Sequence, residues 1–172
     1  MNRTILFFAS FSFLTLPFLT VAIHPAKAEV PQRCHSNQLS VRPVSSSAGA
    51  GNRAVNYAFT NTSSSTCALK GYPGLELLNA KNQPIKGIQI NWTQSTYFYS
   101  AKPQLVTLAP GAQAYFQAAF NRIPAGQSCT TSSKLKITPP NAYRSLTLND
   151  QLTVCGGRIN LTPVQRGMIQ GY

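Results

Sequence analysis

Residues 55–60 run Val55-Asn56-Tyr57-Ala58-Phe59-Thr60. On an extended chain Val55, Tyr57 and Phe59 fall on one side, and Asn56, Ala58 and Thr60 on the other. That period of two, with large apolar groups all on one side, marks a half-buried strand. The same alternation recurs outward from this stretch. Leu39 and Val41 carry it upstream. Downstream come Leu75 and Leu77 around Glu76, then Ile88, Ile90 and Trp92, then Leu105 to Leu108. Phe116, Ala118 and Phe120 follow, then Leu135 and Ile137, Leu146 and Leu148, Leu152 and Val154, and Ile159 and Leu161. No window sustains the 3.6-residue period of a helix. The expected fold class is therefore all-β, an Ig-like antiparallel β-sandwich of about nine short strands. One hydrophobic and one polar face per strand fits two sheets around a single core.

The stretches between strands carry turn chemistry. Ser45 to Asn52 is rich in Ser and Gly and reads as a turn region. Pro110-Gly111 favours a tight turn, and Pro139-Pro140-Asn141 ends a strand. Gly156-Gly157 interrupts the last apolar run and reads as a bulge or bend. Gln165 to Tyr172 reads as a loose basic tail.

The first 28 residues read as a secretory signal peptide. Arg3 supplies the positive n-region, Ile5 to Ile23 the apolar run, and Ala26-Lys27-Ala28 the small-x-small cleavage pattern. The competing reading is a retained membrane anchor, which Pro17 and the cleavage pattern disfavour. No other apolar run is long enough to span a bilayer, so no transmembrane helix is expected after cleavage. Residues 29–172 then form a single domain, secreted or otherwise extracytoplasmic. Removing 28 of the 172 residues, Arg3 and Lys27 among them, leaves 144 and lowers the net charge from +12 to +10.

Four cysteines, Cys34, Cys67, Cys129 and Cys155, remain in the mature part. In an exported chain they imply two disulfides, with three pairings available. A zinc site needs close Cys pairs or clustered His, and neither occurs. Strand adjacency favours the sequential pairing. Cys34 opens the first strand, and Cys67 follows the Val55–Phe59 strand across a hairpin. Cys129 and Cys155 flank the Leu135–Ile137 and Leu152–Val154 strands, which are expected to lie side by side.

Little catalytic chemistry is on offer. One His, His35, and three acids, Glu29, Glu76 and Asp150, remain after cleavage. Paired-carboxylate catalysis would require Glu76 and Asp150 to meet. Glu76 is mid-strand and Asp150 is in a turn, so both read as solvated surface. A serine triad would have to use His35 and Asp150 without a nucleophile elbow. His35, next to Cys34, reads as a surface residue. No cofactor or metal motif occurs. An enzyme is not expected.

The charge favours contact with anionic matter, whether nucleic acid, acidic polysaccharide, wall polymer or lipid headgroups, and its plainer reading is solubility through repulsion; the partner expected is an envelope polymer or protein. The basic residues stand singly from Arg33 to Arg166, and no specific nucleic-acid recognition motif is present. Such binding is expected to be weak and salt-sensitive. The candidate binding loop is the aromatic segment holding Trp92, Tyr97, Phe98 and Tyr99, because loop aromatics stack on sugars or protein partners. The plainer reading places Trp92 and Phe98 in the core and the tyrosines over an edge. Sequons stand at Asn61, Asn91 and Asn160.

One stretch is more specific than composition: Thr66-Cys67-Ala68-Leu69-Lys70-Gly71-Tyr72-Pro73-Gly74-Leu75. Further on come Leu108-Ala109-Pro110-Gly111, Cys129, Leu135 to Pro140 and Val154-Cys155-Gly156. With Cys34 these span nearly the whole mature chain. The pattern resembles secreted bacterial proteins and lipoproteins grouped as domain of unknown function 4232. The resemblance implies an extracytoplasmic β-sandwich with structural cysteines and no established activity, and it carries over no catalytic residue. Many of those proteins are lipid-anchored, whereas this chain lacks a lipidation Cys. The overall expectation is a binding or structural module of the envelope, with a hydrolase acting on wall or extracellular material as the alternative.

Overall fold

The computed structural model describes residues 31–169. The signal-peptide reading falls on residues outside that range. Eleven strands form, two more than the periodicity suggests: β1 Leu39–Gly49, β2 Asn52–Asn61, β3 Cys67–Lys70, β4 Gly74–Leu78, β5 Gln89–Trp92, β6 Leu105–Leu108, β7 Gln113–Asn121, β8 Cys129–Thr131, β9 Lys134–Thr138, β10 Leu146–Leu148 and β11 Thr153–Leu161. Among the described residues the helical content is one 3₁₀ turn at Ser36–Gln38. The largest sheet runs β1-β2-β7-β11-β5, with β8 also on β11. A three-stranded sheet, β10-β9-β4, and a two-stranded sheet, β3-β6, complete the set.

The opening stretch lies on β2 as its alternation requires. Tyr57 and Phe59 stack on Phe116 of β7 at 5.3 and 5.2 Å between ring centres. The same cluster holds Leu69, Leu75, Leu77, Val106, Leu135, Ile137, Ile159 and Leu161. Residues from all three sheets thus close on one core, which makes the fold a sandwich. Each fully buried large side chain contributes roughly 1.5–3 kcal/mol.

Several readings are corrected. The Ser45–Asn52 segment is mostly strand. β1 continues to Gly49, and only Ala50 and Gly51 form the hairpin turn, with φ of 46° and 79°. Positive φ at both positions suits the right-handed twist of the flanking strands. The sandwich is not wholly antiparallel, because β5 pairs with β11 in parallel, Arg158↔Gln89 to Leu161↔Trp92. Leu152 lies just before β11, and Val154, Ile159 and Leu161 share that single strand. The bulge read at Gly156-Gly157 is present as a register shift between Cys155 and Ile159. Both glycines have positive φ, and a Cβ on Gly157 would stand 2.5 Å from the Gly87 carbonyl oxygen. The tail is not loose as far as it is described: Gln165 pairs with Tyr115, and Ile169 is buried.

The disulfides pair as expected, Cys34–Cys67 and Cys129–Cys155. Their local reasons differ from those inferred. Cys34 precedes β1 and lies beside β3, where its N–H donates to Ala68 O at 3.0 Å. Cys129 and Cys155 are direct partners across β8 and β11. β9, which carries Leu135 and Ile137, pairs with β4 and β10 instead. Each bridge closes a loop worth about 3–4 kcal/mol in the chain-entropy account. Two disulfides suit an oxidising compartment outside the cytoplasm. Among the described residues no helix is long and apolar enough to cross a membrane.

Candidate functional site

The second face of the large sheet is the main surprise. Asn56, Ala54 and Ala58 of β2 share it with Gln117 and Ala119 of β7. The alternation marks this face as solvated, yet Asn56 and Gln117 are fully buried. The segment after β5 covers it. Thr96 Oγ accepts the N–H groups of Phe98 and Tyr99 at 3.2 and 3.1 Å and donates to Gln117 Oε1. Gln117 Nε2 donates to Asn56 Oδ1 at 2.9 Å, and Asn56 Nδ2 donates to Ser45 Oγ at 2.8 Å. Phe98 sits on Ala54 and Ala119, whose small side chains leave room for its ring. The Tyr99 hydroxyl donates to Gln165 Oε1. Buried polar groups are tolerated here because each of these amides finds a partner.

This placement separates the four aromatics. Phe98 is core, as the plainer reading had it. Trp92 is not: it is 65% exposed, and its indole N–H donates to Pro73 O at 3.0 Å. Tyr99 is half-buried against the tail. Tyr97 is 67% exposed, with its ring edge-to-face on Phe98 at 5.0 Å. Anchored neighbours therefore hold Tyr97 outward at the mouth of a cavity of about 290 Å³. Asn52, Asn121, Gln127, Arg158 and Asn160 line that cavity with it. The Gly156 bulge helps to shape it, since a Cβ there would collide with the Gln127 side chain.

A second cleft, of about 470 Å³, lies at the other end of the β1–β2 hairpin, around the 3₁₀ turn. Arg33, His35, Tyr143 and Arg144 line it. The Arg33 guanidinium stands 5.6 Å from the centre of the Tyr143 ring and donates to Asn141 O. Ser36 Oγ donates to Arg144 O, tying the 3₁₀ turn to the β9–β10 connection. His35 is exposed, as expected. Sequence reading found these basic residues singly and had no signal for their convergence.

Each described carboxylate has its own partner. Glu76 pairs with Lys136 at 3.0 Å across β4 and β9. Asp150 is not simply solvated surface: it is half-buried and accepts the Tyr57 hydroxyl at 2.8 Å. Burial, and then the Asp150 charge and hydrogen bond, push the Tyr57 phenol well above the usual tyrosine range. Asn61 is buried, and its Nδ2 donates to Ser65 O and Leu108 O, so in the folded domain this sequon is occupied by its own structure.

A family model described as "Domain of unknown function (DUF4232)" matches residues 34–165. The chain belongs to that family. The match begins at Cys34 and takes in both disulfides and the cavity beside Tyr97, while Arg33 of the basic cleft stands one residue before it. No curated protein matches the chain. No solved structure matches it either.

Proposed function

We propose that this member of the DUF4232 family is an exported, non-enzymatic binding module for anionic envelope polymer. The carrying observation is the cleft in which Arg33 and Arg144, far apart in the chain, stand together beside His35 and Tyr143. Among the described residues no carboxylate lines it. Two guanidiniums can grip phosphate or carboxylate groups through planar, paired N–H donors. The mature chain's surplus of 13 Lys and Arg (15 less Arg3 and Lys27) over 3 Asp and Glu draws such a polymer in, and the cleft holds it. A hydrolase would need a catalytic pair, and Glu76 and Asp150 are each committed to a different partner.

The test is retention of the mature domain on immobilised teichoic acid. Wild-type retention should fade by about 0.5 M salt, where the Debye length is only a few Å. The double variant Arg33→Gln/Arg144→Gln should elute at clearly lower salt than the pair Lys81→Gln/Lys86→Gln, which removes the same charge elsewhere. Equal elution of the two double variants would overturn the cleft as the site.

A further inference from the structure

We propose that the cavity beside Tyr97 binds one acidic sugar ring, a pyranose bearing a carboxylate, within a longer polysaccharide. This deepens the binding-module reading and rests on it, but it uses a different site from the arginine cleft.

Three observations carry the proposal. The first is the platform. Tyr97 is exposed, yet its ring is held by Phe98 and lies over Gly49, where a Cβ would stand 3.5 Å from Tyr97 Cε1. An outward aromatic ring on a fixed support suits the C–H face of a sugar and loses little entropy on binding. The second is the excess of donors. Asn121 Oδ1 already accepts the Ile123 N–H at 2.7 Å, and Asn160 Oδ1 accepts Asn91 Nδ2 at 3.3 Å. Those bonds fix both amides so that each Nδ2 remains for a ligand. Among the described residues neither Nδ2 has an acceptor. The third is the charge. Arg158 lines the cavity; among the described residues no carboxylate does, and the ion pair is Lys136–Glu76. A site with a stacking surface, amide donors and one guanidinium matches hydroxyls and a carboxylate on one ring. At about 290 Å³ the cavity is at the small end for a ligand site, which fits one ring better than a chain. A bare phosphate would leave the Tyr97 platform unused.

The experiment titrates the ¹⁵N-labelled mature domain with tetragalacturonic acid, with neutral galactotetraose and with polyphosphate. Tetragalacturonic acid should shift the side-chain amide signals of Asn121 and Asn160. Tyr97→Ala should weaken its Kd by about tenfold, and Tyr97→Phe should keep most of the affinity. Arg158→Gln should erase the preference for the acidic over the neutral sugar. Lys81→Gln/Lys86→Gln, which removes two charges away from both sites, should leave these signals and the Kd unchanged. Absence of the amide shifts, or a Tyr97→Ala domain that is folded and binds as wild type does, overturns the proposal. So does polyphosphate producing the same shifts with the same dependence on Tyr97. Loss of teichoic acid retention in the arginine double variant alongside unaltered Asn121 and Asn160 amide shifts would separate the two sites. If tetragalacturonic acid binding depends on Arg33 and Arg144 instead, the cleft reading survives and this inference fails.

Discussion

The two faces of β2 and β7 are both buried, and opposite chemistry holds each one. On the first, Tyr57, Phe59 and Phe116 stack, and stability comes from apolar area removed from water. On the second, Asn56 and Gln117 sit among alanines beneath a loop, and stability depends on every amide finding a partner. An apolar face tolerates imprecision because its driving force has no direction. A buried polar face does not, since an orphaned donor or acceptor keeps its full desolvation cost. The second face therefore places the loop accurately, and with it Tyr97.

The sharpest way to break this comparison is Phe116→Ala. It should cost about 3–5 kcal/mol, read as a shift in the urea midpoint, because the ring touches both Tyr57 and Phe59. A cost below that of any change on the second face would mean the aromatic stack is not the main support.

Gln117→Ala should cost about 1–3 kcal/mol by leaving Asn56 and Thr96 without their partner. Amide exchange at Phe98 and Tyr99 should accelerate more than at Phe59. Uniform acceleration would show that the amide does not locate the loop.

Tyr57→Phe tests the polar end of the apolar face and should cost about 1.5 kcal/mol at neutral pH through the lost bond to Asp150. Its pH signature is more specific. The folded phenol is held neutral, so its contribution is complete below the unfolded tyrosine pKa and is lost as pH rises above about 10. Wild-type stability should then fall by about 1.4 kcal/mol per pH unit from this group, and Tyr57→Phe should remove that slope. Identical alkaline profiles for the two proteins would show that Tyr57 ionises freely when folded.

The smallest effect should have the opposite sign. Ser47 lies on the second face opposite Ala54, and its buried Oγ has no hydrogen-bond partner among the described residues. Ser47→Ala should be neutral or stabilising by up to about 1 kcal/mol in thermal melts. A loss above that would mean the hydroxyl has a partner after all.

The aromatic loop was legible because four rings in eight residues stand out in a chain with so few charges. Its division into anchor and platform was not. Which of Trp92, Tyr97, Phe98 and Tyr99 is covered depends on Ala54, Ala119 and Gln165, which lie far away in the chain. The buried polar face was misread because alternation reports only that neighbours differ in polarity. It does not say whether water or another segment meets the polar side. A hint existed in Ala54, Ala58 and Ala119, since small residues between amides leave space for a covering loop. β1 was cut short because its serines resemble turn residues, whereas paired to β2 they are simply the less apolar half of a hairpin.

Local chemistry was enough to settle that this chain is all-β, that its four cysteines serve as disulfides, and that Gly156-Gly157 bulges the last strand. Those features depend on side-chain period, on the number and placement of thiols and on backbone freedom, all of which are short-range or countable. The parallel seating of β5 on β11, the meeting of Arg33 with Arg144, and the cavity beneath Tyr97 arise from contacts between distant residues. No local preference encodes them, because each exists only once the sheets have closed on their shared core and the loop has been pinned to the far face.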